Sequence, residues 1–404
     1  MEEEMPTDFS AGYAGPKVKS DCLVIFAPGE GALEVSISGE ADHAPLEAAV
    51  RAVADRIGVN GRVTVEDSGA LPFVAAARFE AAARKATGGS LTPLPPAAVF
   101  QPSPRVRPRR SRLYLPGNRP EFLPKAVSSG ADGVILDLED SVSPDRKFEA
   151  RILVAHALAS MDFGGVEIMV RINQGAGGDE DLAWIIPQRV QHVLVPKVET
   201  PSRISEVRAL SERIAKRCHR PGLPWFMPII ESPLGILSAL DIARAVPETA
   251  ALTLGLQDLT AELGVRPTPG GRESFFSRSM IVLAARAAGL QPIDTVYADV
   301  KNEEGLRASI AEARELGFIG KGCVHPGQVA AINQGFMPDA ESIEYAKKVV
   351  LAMEDAQSRG LGAVALGSKM IDPAVARQAE ATVSEAVMFG MIPEGWRDAA
   401  GTGE

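Results

Sequence analysis

Strand-like and helix-like segments alternate along most of this chain. Eight apolar runs of strand length are each followed by a stretch in which apolar side chains recur at helical spacing. Eight consecutive β/α units predict an α/β fold of the (β/α)8 TIM-barrel class. A doubly wound open sheet is the alternative, but no Gly-x-Gly-x-x-Gly motif follows the first run. The eight runs are residues 113–115, 134–138, 167–172, 193–195, 225–230, 252–256, 294–298 and 321–324.

The N-terminal part of the chain has a shorter pattern of its own. Residues 17–87 predict a small α+β domain in the order β-β-α-β-α, with its first strand near residue 23. A Pro-rich stretch over residues 88–108 predicts an extended, semi-rigid linker. Residues 109–335 form the predicted barrel. Residues 336–404 are expected to form a helical extension that covers the barrel mouth or packs on a neighbouring subunit.

The composition is that of a globular protein with a substantial core, because 46% of the 404 residues are hydrophobic and 23% are charged. A formal net charge of −10 argues against a nucleic-acid partner. The acidic first residues lack the features of a signal or transit peptide, and no apolar run is long enough to predict a membrane span. The three cysteines are widely spaced, which argues against a zinc cluster or a disulfide framework and favours a cytoplasmic location.

Acidic residues close two consecutive strand-like runs. Glu231 follows the fifth run and Asp258 follows the sixth. In a barrel of parallel strands, both carboxylates would point into the same mouth, where barrel enzymes place their chemistry. Paired carboxylates can bind Mg²⁺ and leave positions open for substrate oxygens. We therefore predict that Glu231 and Asp258 are metal ligands. The alternative is a pair of acids in ion pairs with Arg171 or Lys197.

Other polar residues fall near the predicted barrel strands. Arg171 ends the third run and offers a planar fork that suits a substrate carboxylate. Asp140, after the second run, is expected to orient this arginine or to hold a water of the metal. Lys197 could form a Schiff base, but a charge-neutralising or positioning role fits better beside two metal ligands. Arg110 belongs to a basic run that is either solvated linker or a contact for coenzyme phosphates or substrate carboxylates.

A set of motifs occurs in order between about residues 108 and 390, at residues 110–120, 135–140, 170–173, 195–197, 230–232, 258–259, 324–326 and 369–373. Together they resemble the citrate lyase beta-subunit family of the HpcH/HpaI aldolase/citrate lyase superfamily. The resemblance implies a trimeric (β/α)8 barrel with Mg²⁺ on Glu231 and Asp258 and a substrate carboxylate on Arg171. It also implies that Asp372 acts in the site of a neighbouring subunit. The family commonly has glutamate where this chain has Gln257, which changes the surroundings of the metal ligand.

Residues 15–21, 65–71 and 75–82 resemble the acyl carrier (gamma) subunit of citrate lyase. In that family a serine just before the aspartate of the first segment carries a CoA-derived prosthetic arm. Aligned without a gap, this serine falls on Lys19. Ser20, displaced by one position, is the candidate attachment site. Otherwise the domain is a relic or a docking domain. A separate acyl-transferase subunit is a further expected partner.

Together these features predict a Mg²⁺-dependent carbon–carbon lyase. The expected substrate is a 3-hydroxy-3-carboxy-acyl thioester of the citryl-, citramalyl- or malyl-CoA type, and the products are a 2-oxo acid and an acyl thioester. Arg171 would grip the carboxylate, and Asp372 would transfer a proton at the enolate carbon. The alternatives are a thioesterase that uses the same site and an inactive carrier or scaffold subunit of a lyase complex.

Overall fold

The computed structural model describes residues 9–39, 42–88, 92–268 and 270–397. Part of the predicted linker, residues 89–91, and the end of the predicted C-terminal extension, residues 398–404, lie outside the described residues. The described chain contains a small N-terminal sheet, an eight-stranded parallel barrel and a C-terminal helical extension.

The N-terminal domain is a four-stranded sheet in the order β1-β2-β4-β3, and α2 packs against β1, β2 and α1. Its elements are β1 (Phe9–Gly12), β2 (Asp21–Pro28), β3 (Glu34–Ser38), α1 (Ala44–Ile57), β4 (Gly61–Ser68) and α2 (Pro72–Thr87). The edge strand β1, antiparallel to β2, was not predicted. Its four residues contain a single large apolar side chain, Phe9, so the sequence gives almost no strand signal there.

The barrel strands are β5 (Ser111–Pro116), β6 (Gly133–Asp137), β7 (Glu167–Arg171), β8 (His192–Val195), β9 (Trp225–Ile230), β10 (Ala251–Leu254), β11 (Gln291–Ile293) and β12 (Lys321–Cys323). At least one helix follows each strand. The helices are α3 (Leu123–Val127), α4 (Lys147–Ser160), α5 (Gly175–Ile185), α6 (Pro201–Arg217), α7 (Pro233–Leu237), α8 (Ala239–Arg244), α9 (Leu256–Glu262), α10 (Arg272–Ala287), α11 (Glu303–Leu316) and α12 (Val329–Gly335). The predicted TIM barrel is confirmed.

The parallel sheet runs β11-β10-β9-β8-β7-β6-β5-β12, and a bridge between Asp294 and Lys321 joins its two edges into a barrel. Seven of the eight predicted runs overlap with strands. The prediction of the seventh strand at residues 294–298 is wrong, because β11 ends at Ile293. The error arose because residues 294–298 are richer in β-branched and aromatic side chains than β11, which contains a proline.

The Pro-rich segment that precedes the barrel does not stand away from it as a spacer. The carbonyl of Ser103 accepts a hydrogen bond from Trp225 Nε1 at 2.6 Å, and the Ser103 hydroxyl bonds to Glu167. The buried guanidinium of Arg109 pairs with both oxygens of Glu167 at 2.7 and 2.8 Å. Because Trp225 and Glu167 begin β9 and β7, this segment covers the amino-terminal end of the barrel.

The N-terminal domain packs on the outside of the barrel, with α2 against α4. Buried charged side chains of both helices, Glu80 and Glu149, form ion pairs in this contact. Glu80 of α2 lies 2.7 Å from His156 Nε2, and Lys85 of α2 donates to Glu149 of α4 at 2.6 Å. Arg84 stacks over the ring of Trp184 at 4.8 Å. The domain therefore docks on the barrel wall through ion pairs as well as apolar contacts.

The C-terminal extension consists of α13 (Ala340–Ser358), a hairpin of β13 (Val364–Leu366) and β14 (Lys369–Ile371), and α14 (Pro373–Met388). The helices α13 and α14 pack on each other around their own apolar cluster, which includes Val349, Ile371 and Trp396.

Across the described ranges, none of the helices combines the length and apolar character that crossing a membrane requires.

Candidate active site

A cleft of about 330 Å³ opens at the carboxyl end of the barrel strands. Its walls are formed by the ends of several strands and the loops that follow them, as is usual in barrel enzymes. Four of the predicted site residues, Asp140, Arg171, Glu231 and Asp258, line this cleft together. Lys197 lies beside them, with its Nζ 3.4 Å from Asp258 Oδ1.

Glu231 directly follows β9 and is buried at 3% exposure. The backbone N–H of Lys197, itself in a left-handed conformation with φ of 50°, donates to Glu231 Oε1 at 2.7 Å. Burial raises the pKa of Glu231 to about 8, and the nearby charges of Asp258 and Glu139 act in the same direction. A cation bound beside Glu231 would therefore strongly stabilise its ionised form.

The neighbouring strand approaches Glu231 through a glycine. A Cβ at Gly255 would lie 2.2 Å from Glu231 Oε2, so no larger residue fits without moving the carboxylate. This explains why the polypeptide has Gly255 between β10 and α9. Asp258 lies in the first turn of α9, which corrects the expectation that it closes a strand. Its side chain is 41% exposed and faces the solvent side of the cleft.

Arg171, the last residue of β7, is held by a set of acids. Its Nε and Nη2 donate to the two oxygens of Asp137, each at 2.7 Å. Its Nη1 lies 3.0 Å from Glu139 Oε2 and 3.3 Å from Asp140 Oδ2. Burial would raise the pKa of Asp137, but the hydrogen bonds and charge of Arg171 lower it, so the pair stays ionised. Asp137 thus fixes the direction of the guanidinium.

The surroundings of Lys197 favour its protonated form. Burial would lower the pKa of its ammonium group, but Asp258 and then Glu139 and Asp140 raise it. A protonated lysine is not a nucleophile, so this environment favours the charge-neutralising role over the Schiff base.

The pair of Glu231 and Asp258 suits Mg²⁺ by its chemistry, because both donors are carboxylates and one of them faces open solvent. No cluster of three or more His, Cys, Asp or Glu side chains poised for a metal occurs within residues 9–39, 42–88, 92–268 and 270–397. Mg²⁺ does not require such a cluster, since it usually keeps several waters and binds one or two carboxylates together with substrate oxygens.

Arg110 is not brought to the cleft, which corrects its prediction as a substrate-binding residue. It precedes β5, and its guanidinium makes two hydrogen bonds to Asp132, at the amino-terminal end of β6. Its other face stacks on the ring of Phe389 at 4.5 Å. The arginine of the basic run that does line the cleft is Arg112, which sequence reasoning did not select. Its position at an inward-facing register of β5 was the available signal.

Asp372 and Ser20 lie outside the cleft of their own chain. Asp372 is exposed and caps α14, where its Oδ1 accepts hydrogen bonds from the N–H groups of Ala374 and Val375, both at 2.9 Å. Ser20 precedes β2 with a left-handed φ of 55°, and its N–H donates to Ser68 O at 2.9 Å.

The family HpcH/HpaI aldolase/citrate lyase matches residues 110–326, and the family ACP, malonate decarboxylase delta subunit (MdcD), matches residues 10–86. An acyl carrier-like N-terminal domain is therefore supported. The crystal structure of protein CitE from Mycobacterium tuberculosis in complex with magnesium, acetoacetate and coenzyme A is similar, with a TM-score of 0.58 and 29% identity. That match covers 70% of this chain and 99% of the CitE chain.

Two groups of relatives have similar identities to this chain. Citrate lyase subunit beta of Escherichia coli (strain K12) is 36% identical over 293 residues, which are 72% of this chain and 97% of that protein. L-malyl-CoA/beta-methylmalyl-CoA lyase of Cereibacter sphaeroides (strain ATCC 17025 / ATH 2.4.3) is 35% identical over 315 residues, covering 72% of this chain and 98% of the lyase. The chain belongs to the HpcH/HpaI aldolase/citrate lyase family.

Proposed function

We propose that this protein is a Mg²⁺-dependent carbon–carbon lyase that cleaves a 3-hydroxy-3-carboxy-acyl CoA thioester to a 2-oxo acid and an acyl thioester. The observation that carries the proposal is the meeting of Glu231, Asp258 and Arg171 in one cleft at the carboxyl end of the barrel. Two acids for a metal and one oriented arginine for a carboxylate are what this substrate class requires. Relatives named as citrate lyase beta subunit and malyl-CoA lyase support the same chemistry.

Glu231 and Asp258 would hold Mg²⁺, which when bound would polarise the hydroxyl and adjacent carboxylate of the substrate as a Lewis acid. Arg171 would bind that carboxylate with the donors that Asp137 leaves free. Asp140, which is 54% exposed at the rim of the cleft and lies 3.3 Å from Arg171 Nη1, would help to orient the guanidinium for this contact. Lys197 would balance the negative charge around Asp258 and Glu139.

In the bond-breaking step, the substrate hydroxyl gives its proton to water in the open cleft, and its carbon becomes the carbonyl carbon of the 2-oxo acid. The electron pair of the broken carbon–carbon bond passes into the thioester enolate, whose carbon then takes up a proton. We assign this last proton transfer to Asp372 of a neighbouring subunit, since Asp372 does not line the cleft of its own chain. Its exposure at the start of α14 supports a contact made outside its own chain.

We further propose that the protein is a homo-oligomer, a trimer if it follows the family it resembles. Large apolar side chains are exposed on α7, α8 and α10, which pack side by side. Leu237 is 74% exposed, Phe276 66% and Leu283 64%. Neighbouring exposed apolar side chains of this kind support burial against another copy of the chain.

The N-terminal domain is proposed to carry a CoA-derived arm on Ser20 or to be an accessory domain. The loop before Ser20 lies near the barrel mouth, because Tyr13 stacks under Arg146 at 4.5 Å and Arg78 donates to Asn118 O at 3.3 Å. A separate acyl-transferase partner follows only from the first case. Free cysteines in the described residues support a reducing, cytoplasmic location.

The test is to incubate purified protein with citryl-, citramalyl- and malyl-CoA, with Mg²⁺ and with EDTA, and to measure 2-oxo acid and free thiol. Metal-dependent release of a 2-oxo acid from one substrate is the expected result. Thiol release without oxo acid would instead identify a thioesterase. If neither product forms, mass spectrometry of the N-terminal domain shows whether Ser20 carries a prosthetic arm. A modified Ser20 would indicate a carrier-bound substrate, and an unmodified Ser20 would indicate an inactive subunit.

A further inference from the structure

Arg112 lies inside the barrel beneath the cleft. Successive side chains of β5 point to opposite faces of the sheet. Leu113 packs in the core outside the barrel, whereas Tyr114, on the same face as Arg112, packs against the apolar cluster inside the barrel. The Arg112 side chain is 1% exposed, yet it forms part of the cleft wall. Its Nη2 donates to Thr253 Oγ1 at 2.9 Å, and its Nη1 lies 2.8 Å from Met227 Sδ.

This arginine differs from the other buried cations in having no acidic partner among the residues that the structure describes. Arg78 pairs with Asp21, Arg109 with Glu167 and Lys321 with Asp294. The contacts of Arg112 are a hydroxyl and a thioether sulfur, which is a weak acceptor, and its buried Nε has no hydrogen-bond partner in the described chain.

An unpaired charge in the interior is costly unless something neutralises it. Burial lowers the pKa of the Arg112 guanidinium, which reflects the same cost. The second arginine of the cleft, Arg171, already faces Asp137, Glu139 and Asp140. The cleft therefore has one arginine that faces three acids at its rim and another, at its floor, that has no acidic partner among the described residues.

The depth of Arg112 follows from the strand register. Leu254 pairs with Ile230, so Glu231 is level with Gly255 and two residues above Thr253. At about 3.3 Å per residue, the contact between Thr253 and Arg112 lies about 7 Å deeper than Glu231. A group that reaches the guanidinium must extend from the metal pair towards the barrel interior.

We propose that Arg112 is a specificity-determining residue that binds a second carboxylate on the substrate. The preferred thioester then has an additional acidic arm on its hydroxyl-bearing carbon, and the 2-oxo acid product is a dicarboxylate. This inference rests on the proposed lyase activity and narrows its substrate class. Citryl-CoA has such an arm, whereas citramalyl-CoA has a methyl group in its place.

The test compares kcat/KM for citryl-CoA and citramalyl-CoA in the wild-type protein and in Arg112→Met. The wild type should favour citryl-CoA, and the variant should lower the ratio of the two kcat/KM values about 100-fold, as expected when one partner of a buried charge pair is removed. Ile135→Val is the control, since Ile135 lies in the same barrel interior but does not line the cleft. It should leave the ratio unchanged.

An unchanged ratio in Arg112→Met, with equal loss on both substrates, would overturn the proposal and leave Arg112 a packing residue. Should Arg112→Met fail to fold, Thr253→Val removes the hydroxyl that orients the guanidinium and should shift the ratio in the same direction. A rise in KM for citryl-CoA larger than the fall in kcat separates this binding role from a general structural one.

Binding of free products separates failure of this inference from failure of the lyase proposal. If no thioester is cleaved by the wild type, calorimetry with oxaloacetate and pyruvate in the presence of Mg²⁺ still reports on Arg112. The wild type should bind the dicarboxylate oxaloacetate at least about tenfold more tightly than pyruvate, and Arg112→Met should lose this preference. Equal affinities in the wild type would overturn the assignment of Arg112.

Discussion

Replacing Glu149 with glutamine is expected to loosen the N-terminal domain from the barrel. Glu149 belongs to α4, and its side chain is only 3% exposed. It accepts hydrogen bonds from Gly12 N at 3.1 Å and Lys85 Nζ at 2.6 Å, while Arg146 and Arg78 lie at 3.2 and 3.6 Å. Glutamine keeps the volume of the side chain but removes the charge that balances these cations.

The magnitude follows from how exposed each partner is. Loss of one member of a fully buried ion pair costs about 3–5 kcal/mol. Here Lys85 is 35% and Arg146 29% exposed, so solvent screens both interactions and each contributes under about 1 kcal/mol. Arg78 keeps its paired hydrogen bonds to Asp21 at 2.9 and 2.8 Å. We therefore expect the free energy of unfolding of the N-terminal domain to fall by about 2 kcal/mol.

Urea unfolding and limited proteolysis of the Pro-rich segment measure this loss. Glu212→Gln is the matched control, because Glu212 pairs with Arg208 and Lys216 on the surface of α6 and its removal should not change the unfolding midpoint. Identical midpoints for the wild type and Glu149→Gln at neutral pH would refute the argument that this carboxylate holds the domain on the barrel.

The pH dependence of the same comparison has a defined sign. Burial would raise the pKa of Glu149, but the hydrogen bonds of Lys85 and Gly12 and the charges of Lys85 and Arg78 lower it below its ordinary value of 4.5. The stabilisation by Glu149 is therefore fully present above about pH 4.5 and lost as the pH falls through the lowered pKa. The difference between wild type and Glu149→Gln should shrink on acidification.

Three other changes test separate parts of the molecule. Glu231→Gln should weaken Mg²⁺ binding about 100-fold in calorimetry, since a charged ligand becomes neutral; unchanged affinity would remove Glu231 from the metal site. Mixing Glu231→Gln chains with Asp372→Asn chains should restore part of the 2-oxo acid release, because mixed oligomers contain sites with both acids intact, and no restoration would contradict a shared site. Burial opposes the ionisation of Glu80, but His156 and Arg56 hold its pKa at about 2. Its stabilisation should therefore be present above about pH 4.5 and lost towards pH 2, so that urea midpoints of the wild type and Glu80→Gln converge on acidification.

The periodic parts of the fold could be predicted from the sequence because each buried strand and amphipathic helix carries its own pattern. The eight β/α units follow from such patterns. The edge strand β1 did not, since Phe9 is its one large apolar residue and its partner β2 supplies the pairing. Strand β11 was displaced towards residues 294–298, because position in the barrel outweighs strand propensity there.

The site could be predicted where it depends on strand ends. Glu231 and Arg171 lie at the ends of β9 and β7, and the barrel brings them together. Arg110 and Arg112 show the limit of this reasoning. Only two positions apart, they differ in that Arg110 pairs with Asp132 before the sheet begins, whereas Arg112 faces the barrel interior. The point at which β5 begins, which the basic run alone does not reveal, decides which arginine reaches the cleft.

The most direct test of the lyase proposal is to measure the stoichiometry of the products formed from whichever thioester the protein cleaves. With Mg²⁺, carbon–carbon cleavage should give one 2-oxo acid for each shorter acyl-CoA formed, with no free CoA. Both products should be lost with EDTA or in Glu231→Gln. Formation of free CoA and an intact hydroxy acid in equal amounts would contradict it, because the thioester bond rather than the carbon–carbon bond would then be cleaved.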